Sequence, residues 1–311
     1  SHGGGVSVLS PLAGQVSYFA KSPYPNSLQG NIVSSFFEDA QKNIWIGSDG
    51  GGLSKYNPKT QSFDNFNFQH GLSSQAVLDI APFDEENIAV ATWNGGLNVF
   101  NVKQKRFTPL EFSVHGTRVS SQNIYGLHFD STTHQIWCST FGYGVQIFDV
   151  KSKQFLDTTQ LRLTYPAWDK SMFCSKLLFD SFSNVWIVDG IHLGRFDGDS
   201  TYFYNVLDSL NRCENGYFTS DILESSTNQI YVAKYDGVCV YNRKTDCLEY
   251  LDFAHVDLTN AKALLEDAHG TIWISTAKSL FAFSPNDTTI KDVSRIWGMP
   301  QLQYNTKAAF R

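Results

Sequence analysis

The sequence predicts an all-β fold built from repeated four-stranded units, and three observations support this. A strand signal typified by residues 44–48 (Ile-Trp-Ile-Gly-Ser) returns at residues 44, 88, 136, 185, 230 and 272, at intervals of 42 to 49 residues. Each repeat carries four short strand signals, and no apolar stripe of helical period extends beyond two turns. Residues 1–6 also repeat the second half of the unit, residues 48–53. Repeats of this length with strand-like units indicate a β-propeller.

Composition agrees with a large folded domain and excludes some functions. The chain has 311 residues, of which 42% are apolar and 14% aromatic, enough for an extensive core. Its formal net charge of −6 argues against a nucleic-acid surface, which needs a basic excess. No run of 18 apolar residues occurs, so we expect no membrane span within the sequence.

Within each repeat the strand signals, labelled A to D, follow a fixed order. Strand A ends in an acidic residue and a polar turn, such as residues 38–43, which is hairpin chemistry. Strand B is the tryptophan-containing signal, apolar on both faces, as expected for sheets packed face to face. Strand C follows a glycine-rich turn and ends in Asn or Asp in five of the six repeats, and strand D is short. Strand A is predicted at 31–38, 76–83, 123–129, 174–179, 219–223 and 261–266, and strand C at 53–56, 97–100, 145–148, 193–196, 238–241 and 280–283.

The chain ends predict a further, split blade. Residues 6–9 fit a seventh strand C, residues 15–19 a seventh strand D, and residues 304–310 a seventh strand A. We therefore predict a seven-bladed β-propeller of four-stranded antiparallel blades. It forms one domain over residues 1–311, six full repeats plus one split blade closed by N- and C-terminal strands, so that no open sheet edge remains. A seventh strand B is missing, so the chain is predicted to be a segment of a longer protein.

The five cysteines do not indicate a metal site, because no two have C-x-x-C spacing. Cys138 and Cys239 fall inside predicted strands and are expected to be packed thiols. A disulfide between Cys174 and Cys213 is left open by the sequence.

Candidate binding residues fall on one end of the predicted blades, where the B–C turns and the D-to-A links lie together. The turns at the other end are short and charged, which is typical of a solvated surface. Aromatic planes beside Arg, Asn and Asp are the residue types that bind sugars, and they are equally typical of protein interfaces and of packed loops. The candidate ligand-binding residues are Trp93, Asn94, Arg118, Tyr143, Tyr165, Trp168, Lys170, Arg212, Asn215, Lys234, Tyr235 and Trp297. No catalytic residue, metal site or cofactor site is predicted, because hydrolase, metalloprotease and nucleotide-binding motifs are absent from the sequence.

Several repeats resemble a known family. Residues 38–57, 94–100 and 267–276 are similar to the two-component regulator propeller repeat, and residues 296–309 resemble the family's last repeat. The similarity weakens in the fourth repeat, where Gly190-Ile191-His192 replaces the paired glycines, and in the second, where Ala89 replaces the tryptophan. The family has no residue motif for its ligand, so no binding residue is assigned by the resemblance.

The resemblance implies a function for the parent protein. Such propellers form the periplasmic sensor region of hybrid two-component systems in Bacteroides-like bacteria. The implied role is to recognise an oligosaccharide and signal to a downstream histidine kinase that controls transcription of glycan-use genes. The implied partners are a neighbouring propeller and a β-sandwich of the parent chain, and a second copy in a homodimer. Nucleic acid is not implied for this segment, and a membrane is implied only through the parent. The segment itself is expected not to be an enzyme.

Two alternatives remain open at this stage. A propeller glycosidase or lyase would need convergent acids or a histidine near the axis of the predicted ring. A dimerisation scaffold without a ligand would need only the interface properties of the same aromatic residues.

Overall fold

A computed structural model of the chain describes residues 6–10, 15–24, 26–110, 113–114, 117–118, 122–156, 174–189, 193–204 and 218–296. These residues form six four-stranded antiparallel sheets, each in simple chain order. The sheets are the blades of an all-β propeller fold. Two small two-stranded sheets accompany them, and the described part of the chain contains no helix long and apolar enough to cross a membrane.

The blades follow one another along the chain. Blade 1 comprises β3 (Ile32–Glu38), β4 (Ile44–Asp49), β5 (Gly52–Asn57) and β6 (Ser62–Phe66), followed by a 3-10 turn at Phe68–His70; blade 2 comprises β7 (Val77–Pro82), β8 (Asn87–Thr92), β9 (Gly96–Asn101) and β10 (Arg106–Pro109). Blade 3 comprises β13 (Ile124–Asp130), β14 (Gln135–Thr140), β15 (Val145–Asp149) and β16 (Gln154–Phe155); blade 4 comprises β17 (Lys176–Phe179), β18 (Val185–Val188), β19 (Leu193–Phe196) and β20 (Thr201–Tyr204). Blade 5 comprises β21 (Thr219–Glu224), β22 (Ile230–Lys234), β23 (Gly237–Asn242) and β24 (Cys247–Tyr250); blade 6 comprises β25 (Ala261–Glu266), β26 (Ile272–Thr276), β27 (Leu280–Ser284) and β28 (Thr289–Asp292), followed by α1 (Val293–Ile296). The small sheets pair β1 (Val6–Ser10) with β2 (Gln15–Phe19), and β11 (Ser113–Val114) with β12 (Thr117–Arg118).

The prediction of seven blades is wrong, because the described residues form six. The seventh blade needed strands C and D from the N-terminus and a strand A from residues 304–310. The N-terminal strands do form, as β1 and β2, but they make a sheet of two strands only. Residues 304–310 lie outside the described residues. A hairpin paired with itself does not complete a four-stranded blade, so the described residues show no closure of a last blade by the two chain ends.

The chain divides into two compact units. One unit contains Gly3–Val6 and Phe19–Leu177, and therefore blades 1 to 3. The other contains Ser1–His2, Ser7–Tyr18 and Leu178–Arg311, and therefore blades 5 and 6 and most of blade 4. The boundary falls within β17.

In each unit the core lies between successive blades. Ala89 and Leu97 of blade 2 pack with Ile136 and Phe148 of blade 3 in one cluster. Blades 1 and 2, blades 4 and 5, and blades 5 and 6 share equivalent clusters. The second strands are buried along most of their length because the blades within each unit pack face to face, as predicted. Cys138 and Cys239 are fully buried thiols, which confirms their predicted packing. Cys174 is also buried, while Cys213 lies outside the described residues.

An aspartate organises the A–B turn of three blades. In blade 4, Asp180 accepts a hydrogen bond from Trp186 Nε1 (2.9 Å) and further ones from the backbone and side chain of Asn184. Asp39 with Trp45, and Asp267 with Trp273, repeat the geometry at 2.9 and 2.8 Å. The tryptophan lies six residues after the aspartate each time. The repeated tryptophan therefore serves the framework, packing between blades while it fixes the turn.

These turns predict a loss of stability in acid. Burial alone would raise the pKa of Asp180, but the hydrogen bonds from Trp186, Asn184 and Phe182 outweigh it, and the pKa is lowered from its ordinary value of 3.8. The pKa values of Asp39 and Asp267 are lowered in the same way. A lowered native pKa stabilises the fold above the unfolded value, and this contribution is lost as the pH falls through the native pKa. We expect the free energy of unfolding, measured in urea, to fall as the pH is lowered below about 4.

The matched test uses two asparagine substitutions. Asp180→Asn removes one of these titrating groups and should make the pH dependence of the free energy of unfolding shallower. The same change at the exposed Asp252 should leave the pH dependence as in the wild type. Equal slopes for the wild type and Asp180→Asn would contradict the assignment.

Candidate functional site

Hydrogen bonds anchor the B–C turns to the residues that precede an A strand, at the end of the blades here called the B–C end. In the unit with blades 1 to 3, the Trp93 N–H donates to Ala76 O (2.9 Å) and the Phe141 N–H to Asn123 O (2.9 Å). The Asn94 N–H donates to Asn123 Oδ1 (2.8 Å), which links the turn of blade 2 to the start of blade 3. The turn residues are thus held by main-chain contacts, and their side chains are left to present a surface.

A β-bulge recurs at the start of strand A, next to this end. The register of strand A on strand B shifts by one residue in blades 1, 2, 3, 5 and 6. A bulge re-aims one side chain and is common beside binding sites. The extra residues are Ser34, Leu78, Tyr125, Ser220 and Lys262. The bulge therefore places a different side chain in each blade at a repeated position.

An aromatic cluster occupies the B–C end of blades 2 and 3. The Trp93 ring lies 5.6 Å from Tyr125 at 80° and 5.7 Å from Phe141 at 59°, measured between centroids. Phe141 is 46% exposed and Tyr143, two residues later, is 44% exposed. Burial, and then the negative charge of Asp49, raises the pKa of Tyr125. We call Trp93, Tyr125, Phe141 and Tyr143 the aromatic cluster; it combines exposed ring faces with a nearby carboxylate.

A second group of side chains occupies the B–C end of blades 5 and 6. The Tyr235 N–H donates to Phe218 O (2.9 Å), and the Asn260 N–H donates to Tyr235 O (2.5 Å). Phe218 and Tyr235 are 61% and 51% exposed, whereas Lys234 is only 6% exposed. Lys262 follows Asn260 by two residues and is the bulge residue of blade 6.

Two buried acceptor atoms lie in this same group. Asp236 accepts a hydrogen bond from the Tyr250 hydroxyl through Oδ2, while its Oδ1 is buried and has no partner among the described residues. The Asn260 Oδ1 is likewise buried without a hydrogen bond to any residue that the structure describes. Buried polar atoms are normally satisfied, so each exception calls for an explanation, and a bound ligand or water is one.

The structure describes the side chains of five of the twelve predicted binding residues. Trp93, Asn94 and Tyr143 lie together at the B–C end of blades 2 and 3, and Lys234 and Tyr235 lie at that of blade 5. Arg118 ends β12, but its side chain is outside the description. The remaining candidates lie outside the described residues and stay predictions: Tyr165, Trp168, Lys170, Arg212, Asn215 and Trp297.

Sequence reasoning missed Tyr125, Phe218, Asn260 and Lys262. They lie in or just before strand A, which we treated as framework. The sequence did contain an indication of this position, because an asparagine lies two residues before the bulge residue in two repeats. These are Asn123 before Tyr125 and Asn260 before Lys262. Aligning that position across the repeats would have identified the bulge residue as variable. Among the residues of known placement, no three His, Cys, Asp or Glu side chains are grouped so that they could hold a metal ion.

Comparisons with known proteins agree with the repeat pattern. Residues 27–50 match the model of the family described as two component regulator propeller, which confirms the resemblance of the repeats. The chain is 22% identical to Histidine kinase P4 of Formosa agariphila over 304 residues, covering 91% of this chain and 21% of that protein.

Two solved structures show the same fold. The extracellular domain of a hybrid two component system from B. thetaiotaomicron superposes with a TM-score of 0.73 at 22% identity, covering 93% of this chain and 37% of that one. Virginiamycin B lyase from Staphylococcus aureus superposes with a TM-score of 0.64 at 9% identity, covering 86% of this chain and 85% of that one. The chain therefore spans about a fifth of its curated relative and about a third of the first of these solved chains.

Proposed function

Because residues 27–50 match the two component regulator propeller model, we propose that this chain is part of the extracytoplasmic sensor region of a hybrid two-component system. The similarity to a histidine kinase and to an extracellular sensor domain supports this proposal. In the parent protein, a neighbouring propeller, a β-sandwich and a second copy would carry the signal to a membrane-anchored histidine kinase.

We further propose that the signal is an oligosaccharide bound at the B–C end, which leads to transcription of glycan-use genes. The observation that carries this part is the aromatic cluster. Its rings lie at steep angles to one another and two are nearly half exposed, so they offer apolar planes on which sugar rings can stack. Asn94 and Asp49, both exposed, supply polar groups for sugar hydroxyls.

The direct test is sugar binding by the chain and by a cluster variant. A panel of plant and host oligosaccharide fragments is screened by thermal shift, and each positive is titrated by calorimetry. Trp93→Ala should weaken the positive ligand at least tenfold, about 1.4 kcal/mol, because a central ring of the cluster is removed.

Phe182→Ala is the matched control for this titration. Phe182 is 58% exposed in the A–B turn of blade 4, away from any B–C turn, so its loss should leave sugar affinity unchanged. Equal affinity of the wild type and Trp93→Ala would contradict this site. Conversion of a fragment by the chain alone would favour the lyase or glycosidase alternative. Dimerisation without any ligand would favour the scaffold.

A further inference from the structure

The B–C turn of blade 1 lies beside the aromatic cluster. The N–H groups of Gly50 and Gly52 both donate to Gln75 O, at 3.1 and 2.8 Å. The next residue along the chain, Ala76, accepts a hydrogen bond from the Trp93 N–H at 2.9 Å. Two consecutive residues therefore hold the blade 1 turn and the Trp93 backbone, and the end of β4 is placed next to the cluster.

Asp49 ends β4 immediately before this turn and is exposed. After burial, its negative charge is the second cause that raises the pKa of Tyr125, a member of the cluster. Within the described parts of the chain, the Asp49 carboxylate forms no ion pair and accepts no side-chain hydrogen bond. The exposed Lys21 lies near the start of blade 1, where its backbone N–H donates to Asn31 Oδ1 (2.7 Å), but it does not pair with this carboxylate. The carboxylate is therefore available to a ligand.

Most of the described lysines of blades 1 to 3 lie in A–B or C–D turns, at the opposite end of the blades. These are Lys42, Lys59, Lys103, Lys105, Lys151 and Lys153. In the next blade, Lys176 begins β17 and has contacts of its own. The described side chains at this end therefore combine aromatic rings with a carboxylate to which no protein cation is paired.

The rings beside this carboxylate can also accept a cation. No described lysine or arginine lies over the ring of Trp93 or Tyr143. By contrast, the framework ring of Trp45 already carries Lys55 Nζ, 5.2 Å from its centroid. The face of an aromatic ring attracts a cation, tryptophan most strongly, and a carboxylate at the same place adds a full negative charge.

We propose that Asp49 and the aromatic cluster bind the protonated amino group of an amino sugar in the oligosaccharide signal. This inference rests on the proposed carbohydrate-sensing function and narrows its ligand to cationic sugars. Asp49 pairs with the ammonium group, Trp93 stacks on the sugar ring that carries it, and the exposed Asn94 hydrogen-bonds a hydroxyl of the same ring. Because Asp49 is exposed, the ion pair is screened by salt.

The test compares trisaccharides that differ only in the substituent at carbon 2, by calorimetry at low salt and mildly acidic pH. Cellotriose carries a hydroxyl there, the glucosamine trimer an ammonium group, and the N-acetylglucosamine trimer a neutral acetamide. The glucosamine trimer should bind about tenfold tighter than either neutral trimer. This advantage should shrink as salt is raised. Tetramethylammonium chloride, a cation without a sugar, is titrated alone.

Substitution of Asp49 completes the test. Asp49→Gln removes the charge but retains an acceptor oxygen, so it should weaken the glucosamine trimer about tenfold and leave cellotriose within about twofold of the wild type. Trp93→Ala should weaken all the trimers, because the stacking ring is lost. Glu85→Gln is the matched control for the charge change, since Glu85 is exposed in the A–B turn of blade 2. It should keep the wild-type preference.

The outcomes separate this inference from the function it rests on. Neutral trimers that bind as tightly as the glucosamine trimer, or a preference that Asp49→Gln leaves intact, would overturn the cationic ligand and leave sugar sensing in place. Binding of tetramethylammonium that Asp49→Gln weakens, without binding of any sugar, would support the cation site and overturn sugar sensing. Binding of no probe at all would overturn both.

Discussion

Replacing Trp186 by alanine should lower the free energy of unfolding by about 3–5 kcal/mol. The side chain is fully buried in the core between blades 4 and 5. Its ring stacks on Tyr204 with a centroid separation of 5.5 Å and meets the edge of Tyr241 at 4.9 Å. The substitution therefore leaves a cavity between two blades, lined by rings that the surrounding sheets hold in place.

The same substitution also removes the hydrogen bond from Trp186 Nε1 to Asp180 (2.9 Å). Trp186→Phe separates the two losses, because it retains a ring and removes the donor. We expect it to cost about 1–2 kcal/mol, the usual worth of a hydrogen bond to a charged acceptor together with modest repacking. Urea unfolding measures both variants.

Tyr24→Ala is the control for this series, since Tyr24 is an aromatic residue with 75% of its surface exposed. It should change the free energy of unfolding by less than about 0.5 kcal/mol. A cost for Trp186→Ala no larger than that of Trp186→Phe would show that the core closes around the missing ring.

The tryptophan strands illustrate what the sequence predicts well. Local patterns place them, because strands buried on both faces are continuously apolar and are bounded by turn residues. The first, second and third strands of each full repeat form where predicted, and Cys138 and Cys239 are buried. The sequence indicated only a polar turn after strand A. The hydrogen bond that an aspartate in this turn accepts from the tryptophan six residues later, in blades 1, 4 and 6, depends on side-chain geometry.

The number of blades could not be predicted in the same way. The prediction of seven blades required β1 and β2 to pair with a strand near residue 304, at the other end of the chain. No local pattern encodes such a pairing, and a half-repeat at one end was weak support for it. β1 and β2 form as local signals predicted, but their partners do not follow from those signals.

Some residues of the candidate site could be predicted from local sequence patterns, and others could not. Trp93, Asn94, Lys234 and Tyr235 were identifiable because they lie in turns that depart from the repeated glycine pattern. Tyr125 and Lys262 were missed because a β-bulge turns a residue of a framework strand toward the functional end. A bulge is set by the register between two strands, and that register is not visible within one strand. The repeats thus conserve a backbone irregularity while the side chain placed on it varies from blade to blade.

We expect a second large loss of stability when an aspartate that accepts a hydrogen bond from the next blade is replaced. Asp221 in β21 is 1% exposed. Its Oδ1 accepts the Ile222 N–H (2.9 Å), and its Oδ2 accepts the Leu264 N–H of β25 in blade 6 (2.9 Å). Asp79 makes the same pair of contacts with Ile80 (2.9 Å) and Leu127 (2.8 Å), from blade 2 to blade 3.

Asp221→Ala should therefore lower the free energy of unfolding by about 2–4 kcal/mol, because two buried N–H groups lose their acceptor. Asp221→Asn keeps one acceptor oxygen and should cost roughly half as much. Hydrogen exchange at the Leu264 amide provides the local readout. It should accelerate in Asp221→Ala more than in Asp221→Asn, while the Leu127 amide, whose acceptor is Asp79, should keep its wild-type protection. Equal acceleration at Leu264 and Leu127 would mean that Asp221 stabilises the chain globally. Faster exchange at Leu264 alone would mean that such carboxylates fix the distance between the A strands of neighbouring blades. The same contacts would then fix the position of the bulge residues at the B–C end.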